Sequence, residues 1–259
     1  MESGYQSHRK PKREASNLPV RVECYESEDY RWEDVTQLLD VSPFGSRLQV
    51  KHPTEPGRLI HLTLAMPRRL RCFDHEEEQY RVWSLVRHIK SLPVTNGELH
   101  FQIGVAFIGK DRPPSHEIDP AQRYGVAPGL NGSNFWRLRN GPDADTPRLD
   151  SRDRRTEERY DMADRVILEV YEPEGRVVER DEAQTENISR HGMAVITNLN
   201  IARGRYIRVR SAQHDIAIIA AVRRLVPVGD NNKNRLHLEF VDQQWPPLST
   251  GRPVQVFHS

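Results

Sequence analysis

Two arginines, Arg155 and Arg159, stand four positions apart and precede the polar turn Asn187-Ile-Ser-Arg-His-Gly192. A planar guanidinium makes two parallel charge-assisted bonds, which suits a phosphate or the O6/N7 edge of guanine. The Asn187 oxygen can accept from guanine N–H groups, and the Ser189 hydroxyl can reach a phosphate. Gly192 permits a backbone conformation that a side chain would forbid. Together these groups suit an anionic purine nucleotide, and none of them is a catalytic group.

The same pair of motifs occurs near the N-terminus. Arg9-Lys-Pro-Lys-Arg13 is followed by Asp40-Val-Ser-Pro-Phe-Gly45, with 27 positions from Arg13 to Asp40 and 28 from Arg159 to Asn187. Either motif alone is weak in an arginine-rich chain, but two matched pairs at nearly one separation are hard to obtain by accident.

Arg-x-x-x-Arg followed by (Asp/Asn)-x-Ser-x-x-Gly resembles the PilZ domain, a small β-barrel receptor for the bacterial second messenger cyclic di-GMP. The resemblance covers roughly residues 9–110 and 152–245. It implies that Arg155 and Arg159 supply cations from a segment that swings over the ligand. Asn187, and Asp40 in the first copy, would accept from guanine. Ser189 and Ser42 would bond phosphate or fix the turn, while Gly192 and Gly45 serve backbone geometry. The first set, Arg9, Arg13, Asp40, Ser42 and Gly45, departs from the second: Pro11 stiffens the arginine pair, and Pro43 and Phe44 alter the turn. The implied function is non-catalytic. Cyclic di-GMP is the ligand, with no cofactor or metal, and a changed surface regulates an unidentified downstream protein. Two rival expectations are a ligand-independent interaction module and a binder of single-stranded nucleic acid.

The elements that must position these residues read as strands. Pro19–Cys24, Gly45–Val50, Leu59–Met66, Gln79–Ile89 and His100–Ile108 alternate or cluster apolar residues as short strands do, with Trp32–Leu39 leading to Asp40. The second half repeats that order in Arg165–Tyr171, Arg176 onward to Asn187, Gly192–Thr197, Tyr206–Arg210, Ile216–Val226 and Arg235–Phe240. Between them, residues 111–150 carry Pro113, Pro114, Pro120, Pro128, Pro142 and Pro147 among four glycines. So long a Pro/Gly-punctuated stretch marks a domain boundary. Within it Ser115 reads as the cap of a short helix, and Phe135 and Trp136 as residues that dock on a barrel.

The expected architecture is all-β: a basic arm at 1–17, a six-stranded PilZ-like barrel at 18–110, the linker at 111–150, a second such barrel with its arm at 151–245, and a tail at 246–259. An apolar fraction of 36% is below the roughly 45–50% usual for globular domains, which fits two modest cores joined by polar segments. Each copy is near the small end for a self-sufficient core, so packing of one barrel on the other is expected.

Composition narrows the function classes. With 38 basic and 37 acidic residues the net charge is +1, so no overall field draws the chain to nucleic acid or an anionic membrane. Cys24 and Cys72 read as small hydrophobes, not as a disulfide framework or zinc site. No apolar run approaches the ~20 residues of a membrane span, and the polar N-terminus lacks a signal-peptide core, so the expectation is a cytoplasmic protein. His75-Glu-Glu-Glu78 lacks a metal-ligand pattern, Arg68, Arg69 and Arg71 read as a solvated basic edge, and Trp32, Trp83 and Trp245 as barrel packing.

Overall fold

A computed structural model describes residues 13–26, 30–127, 137–140, 160–172, 175–229, 232–246 and 252–253. Arg9, Arg155, Arg159, Phe135 and Trp136 lie outside the described residues.

The first half forms β1 (Glu14–Ala15), β2 (Pro19–Tyr25), β3 (Arg31–Ser42), β4 (Gly45–Val50), β5 (Leu59–Leu64), β6 (Tyr80–Ser91) and β7 (Phe101–Gly109). All pairings are antiparallel, in the order β3-β2-β5-β6-β7-β4, and β4 returns to β3 to close a six-stranded barrel. Closure leaves no free edge in the wall. Alternation along each strand decides what faces inward. Ser46, Leu48 and Val50 of β4 are buried, while Arg47 between them is exposed. The β6–β7 hairpin is turned at Asn96 and Gly97, with φ of 53° and 79°. Two successive positive φ values are what a turn matched to the strand twist requires, hence Asn-Gly there.

The expected connector is less free than its composition implies. A short helix α1 (Pro114–Ile118) is followed by β8 (Tyr124–Ala127) and β9 (Arg137–Asn140), which pair as a separate two-stranded sheet. Tyr124 is buried against Leu59, Trp83 and Leu85 on the outside of the first barrel. The expectation that Ser115 caps the helix is corrected: Pro113 occupies the cap position with no side-chain bond, and Ser115 lies inside the helix. Proline at the first helical position costs nothing there, because its missing N–H would have had no partner.

The second half begins with β10 (Tyr160–Asp161) and continues with β11 (Arg165–Tyr171), β12 (Val177–Ile188), β13 (Gly192–Thr197), β14 (Tyr206–Ser211), β15 (Ile216–Val228), β16 (Lys233–Phe240) and β17 (Arg252–Pro253). The strand order β11-β14-β15-β16-β13-β12, closed by β12 on β11, repeats the first barrel strand for strand. The arm strands repeat too: Ala15 pairs with Asp40, and Asp161 with Asn187.

The registers explain the unequal spacing seen in the sequence. In the first barrel Cys24–Trp32 and Tyr25–Arg31 are consecutive pairs. In the second, Val170 pairs with Glu179 but Tyr171 with Val177, so Val178 bulges out of the ladder and is 58% exposed. A bulge inserts one residue without disturbing the pairs beyond it. That residue turns a separation of 27 into 28.

The two barrels share one apolar core. Tyr206, Ile219 and Ala221, on the outer face of β14 and β15, belong to the same buried cluster as Val22, Leu62 and Phe101 of the first barrel. Around this junction Ser91 donates to Asp242 at 2.7 Å, Leu99 N–H to the Gly175 carbonyl at 3.0 Å, and Arg205 lies over the Tyr30 ring at 4.0 Å. Gly175 has φ of 84° and a Cβ there would stand 2.8 Å from the Leu99 oxygen, so the close approach also needs glycine. The expectation that each barrel supplements the other's core is met.

Glu26 sits near this junction, buried, accepting from Trp32 Nε1 at 3.0 Å. Burial raises its pKa to about 7 despite that hydrogen bond and the Arg58 charge. A raised carboxyl pKa means the folded state holds its proton more tightly than the unfolded chain does. The associated stability is complete below about pH 4.5 and is lost as pH climbs through about 7. The loss is about 3 kcal/mol at 1.36 kcal/mol per pH unit. Denaturant unfolding of Glu26→Gln should lack this decline, whereas parallel pH profiles for the two chains would contradict it.

Candidate ligand site

In both barrels the motif residue sits just after a bulge on the outer wall. β3 and β4 pair Leu38 with Leu48 and then Asp40 with Arg47; β12 and β13 pair Thr185 with Val195 and then Asn187 with Ala194. The skipped residues, Leu39 and Glu186, shift the strand so that Asp40 and Asn187 face outward while Val41 and Ile188 point into the cores. Asn187 thereby stands opposite Asp161 of the arm strand. The described strand opens at Tyr160, the residue next after Arg159. The ladder therefore fastens the segment that follows the arginine pair directly beside the motif turn.

The two turns are built alike. Ser42 Oγ donates to the Gly45 carbonyl at 3.2 Å, and Ser189 Oγ to the Gly192 carbonyl at 3.2 Å. Both serines are buried, and of their two expected roles this is the fixing of the turn. The glycines correct an expectation. Neither Gly45 nor Gly192 has a positive φ, so conformational freedom is not why glycine stands there. A Cβ on Gly45 would lie 2.1 Å from the Val105 carbonyl oxygen, and one on Gly192 2.3 Å from that of Leu238. The neighbouring strand passes too close for any side chain. Gly192→Ala must displace β16 or the turn and should cost about 1–3 kcal/mol or more. A thermal melt unchanged from the parent chain would contradict that.

Beyond the turn each wall carries a row of directly paired residues. The first barrel presents Asp40, Arg47, Gly104 and His88; the second presents Asn187, Ala194, His237 and Arg224. In the first row Asp40 is held on both oxygens, Oδ1 by Arg13 Nη1 at 2.8 Å and Oδ2 by Arg47 Nε at 2.5 Å. Its side chain is 7% exposed, while both arginines are 45% exposed. The His88 ring lies over Gly104, where a Cβ would meet it at 1.9 Å. Burial, then the charges of Arg13, Arg47 and Arg87, hold His88 below the usual histidine range. Sequence reasoning named Asp40 and Arg13 but missed Arg47, whose position two residues after Gly45 on an outward face was its only signal.

In the second barrel His191 is exposed on the turn, with Nε2 2.7 Å from Gln244 Nε2. The arm beyond β10 is anchored by Asp164, which is buried, accepts from Ser211 Oγ at 3.3 Å and lies 3.1 Å from His214 Nε2. Thr185 Oγ1 donates to the Met162 carbonyl and accepts from Asp164 N–H at 2.8 Å. Residues 162–164 are thus fixed to the barrel.

Other candidates fall away from ligand chemistry. Arg71, expected on a solvated edge, is buried and donates to the carbonyls of Met66, Glu77 and Glu78. It satisfies a loop's backbone in place of water. Arg69 makes a two-pronged pair with Glu14 of the first arm strand, at 3.0 and 2.9 Å. Trp32, Trp83 and Trp245 are buried as packing residues. Among the described residues no helix is long and apolar enough to cross a membrane.

One comparison finds a family likeness over the second half of the chain. Residues 153–244 match the family model described as PilZ domain. No curated protein matches the chain. Similar solved structures include the inhibitor of motility MotI/DgrA of Bacillus subtilis, at 14% identity, 88% of each chain covered and a TM-score of 0.28. PlzA of Borreliella burgdorferi in complex with c-di-GMP is 10% identical over 86% of this chain and 81% of that one, at 0.26. YcgR of Escherichia coli in complex with c-di-GMP is 11% identical over 87% and 76%, at 0.26.

Proposed function

We propose, on the premise that residues 153–244 form a PilZ domain, that the chain is a non-catalytic receptor for cyclic di-GMP. The ligand is held at the second barrel. Arg155 and Arg159 grip its phosphates and guanine edges, Asn187 accepts from guanine, and Ser189 and Gly192 hold the turn that presents Asn187. The observation that supports this reading is the ladder Tyr160–Ile188 and Asp161–Asn187, in which the two residues that follow the arginine pair in sequence lie beside the motif turn. A ligand with two phosphodiesters and two guanines needs cations and a neutral or anionic acceptor, and the proposed arginine pair and Asn187 are groups of those kinds.

Binding of this kind selects the conformation in which the arm lies over the turn, because the ligand stabilises only that state. The altered surface then regulates a partner protein. Arg9, Arg13, Asp40, Ser42 and Gly45 form the corresponding set in the first barrel, with the arm residues Glu14 and Ala15 paired to β3.

Thermal unfolding of the full chain tests the ligand. Cyclic di-GMP at 100 times its Kd should add about 2.7 kcal/mol of stability, and GMP at equal concentration far less. No shift with either compound would favour a ligand-independent interaction module. A shift matched by any single strand, and collapsing with salt, would favour a nucleic-acid binder.

A further inference from the structure

We infer that Arg47 fills the first barrel's motif site from within and so lowers that barrel's affinity for the ligand. The inference extends the cyclic di-GMP reading above. In the second barrel the residue paired with the motif acceptor is Ala194, which carries no charge and no donor beyond its backbone. In the first barrel the residue at that rung is Arg47, and its Nε stands 2.5 Å from Asp40 Oδ2.

The geometry makes this bond different from that of Arg13. Arg13 adjoins the short arm strand, and its Nη1 takes only Oδ1. Leaving Asp40 for a phosphate is a motion of the arm. Arg47 is on a wall strand, laddered to β3 on one side and to β7 on the other, and cannot withdraw its backbone from Asp40. A guanine edge approaching Asp40 offers two donors side by side and needs both carboxylate oxygens. One oxygen is already bonded to a cation carried on a laddered strand, in a carboxylate almost fully shielded from water. The His88 ring over Gly104 further fills the wall beside it.

Displacing a charge-assisted bond of this type lowers affinity by about 10–100-fold. The first barrel therefore keeps the motif's residues with its acceptor already occupied. A carboxylate offers only acceptors to the donor edge of guanine, but that of Asp40 is already engaged.

Calorimetric titration with cyclic di-GMP on four full-length chains tests this. The parent should bind at the second barrel only, and Arg155→Ala/Arg159→Ala should lose binding. Arg47→Ala should add a second binding event. The triple variant R47A/R155A/R159A should bind where the double variant does not. Removing Arg47 leaves the shielded Asp40 carboxylate to Arg13 alone, so a modest fall in melting temperature is expected, and a circular-dichroism melt checks that each chain folds.

Residual binding by R155A/R159A that disappears on further Asp40→Ala would overturn the inference, because the first barrel would then be open already. Failure of R47A to gain an event would also overturn it. A parent chain that binds while R47A gains nothing defeats this inference and leaves the receptor reading intact. A parent that binds nothing defeats the receptor reading, and a gain in R47A would still uphold the role of Arg47.

Discussion

Replacing Arg155 and Arg159 together by alanine should weaken cyclic di-GMP binding by about 100-fold or more, with the melting temperature of the free chain nearly unaltered. Each guanidinium contributes about 1.5–3 kcal/mol where it bonds a charged partner, and every 1.4 kcal/mol is tenfold in Kd. In the proposed mechanism the pair also closes the arm over the ligand, so losing both would remove the closed state's advantage and not merely two contacts. Lysine in place of both arginines should recover only part of the affinity, because an ammonium cannot match the two-pronged geometry of phosphate or guanine. An alanine pair with unaltered affinity would remove the arm from the mechanism.

The second large effect lies at the junction of the barrels. Glu55 is 1% exposed and is shared by three arginines. Arg58 Nε approaches it at 3.1 Å, Arg123 Nη1 at 3.4 Å, and Arg223 of the second barrel takes both oxygens. Arg223 and Arg123 also hold Glu239, at 2.6 and 3.1 Å. Burial alone would push the Glu55 carboxyl up, but the Arg223 hydrogen bond and charge, with those of Arg58 and Arg123, hold it below the usual carboxylate range.

Glu55→Ala leaves the buried Arg58 without its carboxylate and cuts the tie between barrels. Removing one partner of a buried pair costs about 3–5 kcal/mol, on the order of a 10 °C fall in Tm. Because the pKa is depressed, the stability that Glu55 supplies is present above about pH 4.5 and is lost as pH falls below it. The parent should therefore lose stability with acid faster than Glu55→Ala, and equal acid sensitivity would contradict the assignment. Arg223 is the bulged residue immediately before Arg224, which lies on the row of paired residues that starts at Asn187. The same strand thus carries both the outer wall of the site and the bond to the first barrel.

Much of this was legible in the chain. Arg165–Tyr171 and Gly192–Thr197 coincide with the observed strands, since alternation fixes which residues pair and Gly or Pro fixes where pairing stops. The duplicated motif fixed the topology once one barrel was understood. What escaped were facts that depend on residues far apart. The Glu55–Arg223 pair joins positions separated by 168 residues, and no local pattern announces it. Arg71 looked solvated because its partners are backbone carbonyls, which leave no mark in a sequence. Tyr124 sat in a Pro/Gly-rich stretch whose composition reports turns but not what one tyrosine covers. The glycines of the motif were recognised, yet their reason is a carbonyl on another strand and not their own dihedral angles. Asn187 and Asp40 were recognised equally well, and their difference lies in the residue across the ladder.

The central claim is that the arm following the linker and the turn at Asn187 form one site for a guanine-bearing dianion. Isothermal titration of the full chain with cyclic di-GMP, run beside the Asn187→Ala and Arg155→Ala/Arg159→Ala chains, tests it most directly. The account predicts saturable binding in the parent and a loss in both variants, with each still folded by its melt. Equal isotherms in all three chains would contradict it.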